Sequence, residues 1–213
     1  MSKHTKRQVN ELCLTCILLP CLSPQFAKMN KTPGWLVGID FEKAFDSVNV
    51  EFLIMALESF NFGQTFIKWI TTFYNGAKSC VINNGFTSHY FDLQRGARQG
   101  DPLSPYLFIL VMEVLSISIR KDVEIKGLLV DEKDIKLSSF ANDLTTFLKD
   151  MDSLHKLLHK FKLFGSCSGL KPNIAKTEVL RLGPSQKDVD IYSILKIPNR
   201  QNHLKFWESS HVR

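Results

Sequence analysis

The amino-acid sequence predicts an α+β domain in which an antiparallel sheet carries helices on one face. Short apolar runs of strand length alternate with longer segments of helical periodicity. An Asn-Asn-Gly turn at 83–85 joins two of the runs as a hairpin. The composition, with 44% hydrophobic and 23% charged residues in a chain of 213, is that of a globular protein. These three observations together place the chain in the α+β class.

The first half of the domain begins with a strand and two helices. Residues 35–41 are an apolar run of strand length that contains Asp40 near its end. Asn49 is a favoured N-cap residue, and apolar residues follow it at helical spacing over 52–60. A second amphipathic helix is expected over 64–74. Four of its side chains should face inward: Phe66, Ile67, Ile70 and Phe73.

The second half of the domain mixes strands with two longer helices. Pro102 predicts the start of a helix over 103–121, because a first turn does not need the N–H that proline lacks. Polar residues at 131–134 and 142–143 predict turns between strands. The remaining elements are hairpin strands at 79–82 and 86–93, strands at 125–130, 135–140, 144–148 and 177–182, and a helix at 151–164 ended by Gly165 and Gly169.

These elements define one domain over residues 34–183. An irregular segment, 1–33, precedes it, and a tail without clear periodicity, 184–213, follows it. The formal net charge of +6 suits a nucleic-acid partner, although an ordinary solvated surface explains it equally well. We leave the oligomeric state open.

No membrane partner is expected, because no apolar run reaches the roughly 20 residues of a membrane-spanning helix. The run at 12–22 is short and is a weak match to a signal peptide. Five cysteines are too few, and odd in number, for a disulfide scaffold. We therefore expect an intracellular protein and leave open whether it lies in the nucleus or the cytoplasm.

Two aspartates are candidates for a metal site. Asp40 ends an apolar strand, and Asp143 lies at a turn between two strands. Each has an ordinary explanation, since Asp caps strand ends and favours tight turns. Carboxylates from neighbouring strands would form a hard oxygen site suited to Mg²⁺. The spacing in the sequence leaves open whether the two side chains meet.

The loop at 95–102 is a candidate phosphate-binding segment. Its glycines allow close backbone approach, Arg95 and Arg98 offer cationic donors, and a predicted helix begins behind it. A flexible surface loop is the equally weighted alternative.

Other metal-like spacings are explained without a metal. His155 and His159 are four residues apart on a predicted helix but lack the glutamate of a zinc-peptidase motif, so we expect a solvated helix face. Cys13 and Cys16 form one Cys-x-x-Cys pair without the second pair that a zinc site needs.

Four blocks of the sequence occur together in an order known from one family. They read DFEKAFDSV at 40–48, QRGARQGDPLSPYLF at 94–108, FAND at 140–143, and SGLKPN at 168–173 followed by Lys-Thr-Glu at 176–178. In these blocks the chain resembles the reverse transcriptase of non-LTR retrotransposons of the long interspersed element type. The resemblance covers about residues 34–183.

The resemblance implies a polymerase palm, which is a ferredoxin-like antiparallel sheet backed by helices, with the fingers and thumb largely missing here. It implies RNA-directed DNA polymerase activity, with an RNA template, a DNA primer and deoxynucleoside triphosphates as partners. It also implies a pair of Mg²⁺ ions as cofactor, which serve in-line phosphoryl transfer to the primer 3′-hydroxyl.

The resemblance assigns roles to individual residues. Asp40 and Asp143 match metal ligands, and the carbonyl of Phe41 is a further ligand candidate. Phe45 matches the aromatic residue that excludes a ribose 2′-hydroxyl. The other assignments are Gln99 and Gly100 along the nucleotide and template, Arg95 and Arg98 on phosphates, and Lys176 near the leaving group.

One position departs from the family pattern. The third block normally ends in Asp-Asp, and here Asn142 replaces the first of these metal-binding aspartates. An amide oxygen coordinates Mg²⁺ without supplying negative charge, so we expect an impaired or inactive polymerase. The alternatives are a catalytically dead nucleic-acid-binding remnant and a decayed reading frame without a selected role. Without the resemblance, a generic Mg²⁺-dependent phosphotransferase would be the enzymatic interpretation.

Overall fold

The computed structural model describes residues 33–97, 100–130 and 132–182. The expectations for the N-terminal segment, the C-terminal tail, Arg98 and Gln99 lie outside the described residues. In chain order the elements are β1 (Gly34–Ile39), α1 (Ala44–Ser47), α2 (Val50–Ser59), α3 (Gln64–Tyr74), β2 (Lys78–Ser79), β3 (Ile82–Asn83), β4 (Phe86–Thr87), β5 (Phe91–Asp92), α4 (Ser104–Lys121), β6 (Leu128–Val130), β7 (Lys133–Ile135), β8 (Leu137–Phe140), β9 (Asp143–Leu148), α5 (Met151–Ser168), a 3₁₀ turn (Ile174–Lys176) and β10 (Glu178–Leu182).

The described residues divide into two compact units. The sheet unit contains the described residues of three stretches, 33–40, 122–157 and 173–182. The helical unit contains residues 41–121 and 158–172. No helix in these described ranges is long and apolar enough to cross a lipid bilayer.

The sheet unit is built on four strands in the order β10-β1-β9-β8. Every neighbouring pair is antiparallel. Numbered by position in the chain, the order is 4-1-3-2, which is that of a ferredoxin-like sheet. The structure therefore confirms the predicted antiparallel sheet and its ferredoxin-like topology.

The middle of this sheet is largely buried. Strand β9 is buried from Leu144 to Leu148, although it includes two threonines. The hydroxyl of Thr146 donates to the carbonyl of Val37 at 3.3 Å, which satisfies a polar group that would otherwise be costly in a core. The buried apolar side chains of the sheet unit come from both central strands and from α5, and include Val37, Ile39, Phe147, Leu154 and Leu157.

The short ribbon of β6 and β7 differs from the prediction. Residues 131–134 were expected to form the turn, but Lys133 and Asp134 belong to β7. The pairing of Val130 with Lys133 leaves a two-residue turn. Glu132 has a φ of 65°, the left-handed conformation that such a tight turn requires. The prediction failed because the strands of an exposed ribbon accept polar residues. In the sequence, such polar strand residues cannot be told from the polar residues of a turn.

Local sequence rules place the helices of the helical unit. The side chain of Asn49 accepts hydrogen bonds from the backbone N–H groups of Glu51 and Phe52, which confirms the predicted N-cap of α2. Helix α3 has the predicted bounds, and α2 packs against both α3 and α4. Helix α4 begins two residues after Pro102, close to the predicted start.

The inward face of α3 was predicted correctly at Ile67 and Ile70 but not at Phe66 and Phe73. Ile67, Ile70 and Tyr74 are buried, whereas Phe73 is 39% exposed and Phe66 is half-buried. The buried residues are three and four positions apart, which is one helical face, and Phe73 lies about 100° away from it.

The hairpin predicted from strands at 79–82 and 86–93 is present over 78–92 but interrupted. Asn84 and Gly85 have φ values of 49° and 81°, so the turn takes the positive φ at both positions that Asn-Gly predicts. Between the pairs Ser79–Phe91 and Ile82–Thr87 the second strand carries one extra residue. This extra residue is a bulge, which splits the hairpin into two short ribbons.

Helix α5 runs further than predicted and is capped at its start. Gly165 lies inside the helix, and Gly169, with a φ of 81°, ends it. At the other end, Asp150 Oδ1 accepts from the backbone N–H of Ser153 at 2.9 Å and from its hydroxyl at 2.7 Å. Burial raises the pKa of Asp150, but the hydrogen bonds from Ser153, together with the charges of Lys126 and Lys149, lower it more, so the net shift is downward.

We predict that Asp150→Ala lowers the free energy of unfolding by about 1 kcal/mol at pH 7, because the N-cap bonds are lost. A folded-state pKa below the unfolded value means that the carboxylate stabilises the fold above the unfolded pKa and ceases to do so as pH falls through the folded pKa. The difference between native chain and variant should therefore close towards about pH 3. Urea unfolding at both pH values measures it, with Asp152→Ala on the same helix turn as control.

The ring of Phe45 packs on a second ring within the helical unit. The centroids of Phe45 and Phe108 are 4.6 Å apart with 29° between the planes, a stacked pair. Phe45→Leu should lower the free energy of unfolding by about 1 kcal/mol, while Phe45→Tyr should leave it unchanged. Phe86→Leu, at a residue that is 81% exposed, is the matched control. Equal urea midpoints for Phe45→Leu and the control would show that the stack contributes nothing.

Candidate active site

The register of the central strands brings Asp40 and Asp143 to the same end of the sheet. Asp40 directly follows β1, and Asp143 is the first residue of β9. Ile39 pairs with Leu144 across these antiparallel strands. Continuing that register by one residue places Asp40 opposite Asp143. The two candidate carboxylates therefore lie at the same end of the two central strands, which spacing in the sequence alone left open.

A two-residue turn positions Asn142. Phe140 pairs with Asp143, so Ala141 and Asn142 form the loop between β8 and β9. The turn was predicted one residue later, at 142–143, and Asp143 is instead the start of a strand. Ala141 has a φ of 53°, a conformation that costs a non-glycine residue about 1–2 kcal/mol. Such strain persists where the surrounding structure holds it in place.

Asp40 is the hub of the site. Its Oδ1 accepts a hydrogen bond from Asn142 Nδ2 at 2.9 Å. Its Oδ2 accepts a hydrogen bond from Lys176 Nζ at 2.8 Å, which is also an ion pair. The side chain of Asp40 is 18% exposed and that of Lys176 is 67% exposed. Both oxygens of the carboxylate are thus bound by groups of this chain.

The 3₁₀ turn brings Lys176 to the site. The backbone N–H of Asn173 donates to the carbonyl of Asp40 at 2.8 Å, and the N–H of Lys176 donates to the carbonyl of Asn173 at 3.0 Å. Sequence reasoning assigned no role to Asn173. Asn173 is the last residue of the block SGLKPN and directly precedes the turn that carries Lys176, and this position in the block was the sequence signal for it.

The charges of the site nearly balance. Hydrogen bonding to Asp40 and the negative charge of Asp40 raise the pKa of Lys176, and the charge of Asp143 raises it further against a small opposing effect of burial. Lys176 is therefore an ammonium at neutral pH. Two carboxylates and one ammonium leave a single net negative charge.

These residues do not fit a pair of Mg²⁺ ions as they stand. Mg²⁺ takes oxygen ligands, and two neighbouring dications need several carboxylates to offset their repulsion. Asn142 turns a nitrogen donor towards Asp40, and Lys176 adds a positive charge. Within the part of the chain that the structure describes, no three His, Cys, Asp or Glu side chains gather as a metal-binding group.

The other predicted site residues that the structure describes lie in the helical unit. Phe41 is buried, with its ring edge-on to Phe161 at 6.3 Å. Arg95 is exposed, and Gly100 has a φ of 93°. The backbone N–H of Gly96 donates to the carbonyl of Val48 at 2.8 Å, which ties this loop to the end of the first block.

Both histidines of the i, i+4 pair are exposed on α5. His155 and His159 lie on its solvated face, as predicted. Neither is near a third ligand of a metal-binding group within the described residues.

Comparison with known proteins supports the family suggested by the four blocks. The family model described as "Reverse transcriptase (RNA-dependent DNA polymerase)" matches residues 3–206. The transposon TX1 uncharacterized 149 kDa protein of Xenopus laevis is 30% identical over 165 residues, which are 76% of this chain and 12% of that protein. The Pol polyprotein from the retrotransposable element R2DM of Drosophila melanogaster is 32% identical over 155 residues, 72% of this chain and 14% of that protein.

A solved structure supports the fold. Telomerase from Candida tropicalis, in complex with a fragment of telomeric RNA, is similar with a TM-score of 0.55 over 82% of this chain and 29% of that chain. Its sequence identity of 16% makes this a likeness of fold alone. The family model covers most of the chain, and the curated relatives are proteins of non-LTR retrotransposons. The chain therefore belongs to the reverse transcriptase family, as a domain of the non-LTR retrotransposon type.

Proposed function

We propose that this chain is a reverse transcriptase palm whose polymerase chemistry is silenced at one residue, Asn142. The reaction of the intact site would be transfer of a nucleotide from a deoxynucleoside triphosphate to a primer 3′-hydroxyl. An RNA template would specify the nucleotide that is added. The observation that carries the proposal is the hydrogen bond from Asn142 Nδ2 to Asp40 Oδ1. A nitrogen donor stands where the family's aspartate would offer an oxygen.

Asn142 would silence the polymerase reaction through its lack of charge as well as through its geometry. In the intact site a pair of Mg²⁺ ions would activate the hydroxyl and neutralise the triphosphate. Ions about 4 Å apart repel strongly, and an uncharged amide removes one of the charges that hold them. If the loss were only as large as that of one oxyanion-hole donor, it would be about 10²–10³ in rate. We expect more, because metal occupancy falls too.

The remaining family residues keep their proposed roles. Phe45 would exclude a ribose 2′-hydroxyl, and the carbonyl of Phe41 would be a metal ligand. Arg95 is exposed and free to approach a phosphate-bearing strand, and Gly100 has the positive φ of a loop that allows close backbone approach. Gln99 and Arg98 complete this proposed nucleotide and template contact, and Lys176 would act near the leaving group.

Primer extension on an RNA template tests the silencing. We expect no extension by the native chain and measurable extension by Asn142→Asp in Mg²⁺ or Mn²⁺, a gain of at least about 10²-fold. Asn84→Asp makes the same change in an exposed turn and should stay inactive. Adding Asp40→Asn to the active variant should abolish extension. Equal activity of native and Asn142→Asp chains, including none in either, would refute silencing at this one residue.

A second candidate is a nucleic-acid-binding remnant without catalysis. The net charge of +6 and the exposed Arg95 favour it. Neutralising several phosphates releases counterions, so affinity for single-stranded RNA should fall at least about tenfold from 50 to 200 mM salt.

Fluorescence anisotropy with labelled RNA measures that dependence. Arg95→Ala should weaken binding and flatten the salt slope, whereas Lys133→Ala, which removes an equal charge from exposed β7, should change both less. Binding that does not respond to salt would argue against a phosphate-directed surface.

A further inference from the structure

We propose that Asp40, Asn142 and Lys176 form a cation-independent clamp that stabilises the sheet unit. In this clamp the three side chains satisfy one another and tie together β1, the β8–β9 turn and the 3₁₀ turn. The inference rests on the proposed function, because both take Asn142 to replace an aspartate of the family. It concerns folding stability rather than catalysis, so it is tested separately.

The clamp joins parts of the chain that are distant in sequence. The Asn142–Asp40 hydrogen bond spans 102 positions and the Lys176–Asp40 bond spans 136. Each bond therefore holds a non-local arrangement, whose backbone is already ordered by pairing in the sheet. The N–H of Asn173 reinforces it, since it donates to the carbonyl of Asp40.

The two bonds should contribute unequally. Asn142 is half-buried and Asp40 is 18% exposed, so their bond is a charge-assisted hydrogen bond partly shielded from water. Lys176 is 67% exposed, and water and salt weaken an ion pair at such a position. The bond from Asn142 is therefore expected to be the stronger part of the clamp.

An aspartate at position 142 could not close the clamp. Its carboxylate would take the place of an amide whose nitrogen lies 2.9 Å from Asp40 Oδ1. Two carboxylates at that distance repel, and each oxygen lacks the donor that the amide supplied. A palm with the Asn142→Asp substitution would need a bound cation to reach the same stability. The asparagine thus removes a dependence on cations along with the catalytic charge.

Urea unfolding of the full chain, in EDTA and in Mn²⁺, tests the clamp. We expect the native midpoint to be the same in both solutions. Asn142→Asp should raise the unfolding equilibrium constant about tenfold or more in EDTA, and Mn²⁺ should reverse most of that rise. Asn142→Ala should be destabilised in EDTA and stay so in Mn²⁺, because it loses the bond without gaining a ligand.

Lysine variants and matched controls complete the experiment. Lys176→Met should raise the unfolding constant by a smaller factor, about two- to fivefold. Lys133→Met and Asn84→Asp repeat the two chemical changes at exposed positions and should leave the midpoint and its response to Mn²⁺ unchanged.

Three outcomes would overturn the clamp. They are a native chain that Mn²⁺ stabilises as much as it stabilises Asn142→Asp, an Asn142→Asp chain as stable as the native one in EDTA, and an Asn142→Ala chain of native stability. If Asn142→Asp is unfolded in EDTA, its refolding on addition of Mn²⁺ supports the clamp. If it does not refold, the stability of Asn142→Ala decides whether the clamp stands. Primer extension enters none of these readouts, so a failure here is distinct from a failure of the proposed function.

Discussion

The antiparallel register of β1 with β9 is the constraint on which the site depends. Strand β1 pairs on one side with β9 and on the other with β10. The first pairing sets Asp40 opposite Asp143, and the second brings the chain of the 3₁₀ turn to the same end of the sheet. Because side chains alternate between faces, a slip of one residue would move each of these groups to the wrong face. Burial of β9 on both faces makes such a slip costly.

Local chemistry made much of the fold predictable. Asn49 and the pair Asn84–Gly85 act through their own backbone requirements, and both were placed correctly. What failed depends on which segments pair or pack with one another. The polar strand β7 exists because it pairs with β6, and the inward face of α3 is fixed by what packs on it. A single sequence records neither partner, so the pattern was ambiguous at those points.

The candidate site was likewise predictable only in part from the sequence. Asp40 and Asp143 were recognisable as strand-end carboxylates, but their proximity follows from a register that spacing does not reveal. Lys176 was a candidate only through the family resemblance, because an exposed lysine carries no pattern of its own. The direction of the Asn142 amide, and hence its role as a donor, depends on the turn geometry around Ala141 and was not predictable.

The proposed silencing at Asn142 would separate fold from chemistry in this chain. The two side chains, asparagine and aspartate, have almost the same shape and both suit a tight turn, so the two-residue turn between β8 and β9 accepts either one. They differ in one atom, which turns an anionic acceptor into a neutral donor. A site that binds cations needs the acceptor, whereas Asp40 in the folded chain needs a donor. In the proposed site, the substitution that removes a metal ligand also supplies Asp40 with a hydrogen bond, so the sheet keeps a satisfied carboxylate at this position without a cation.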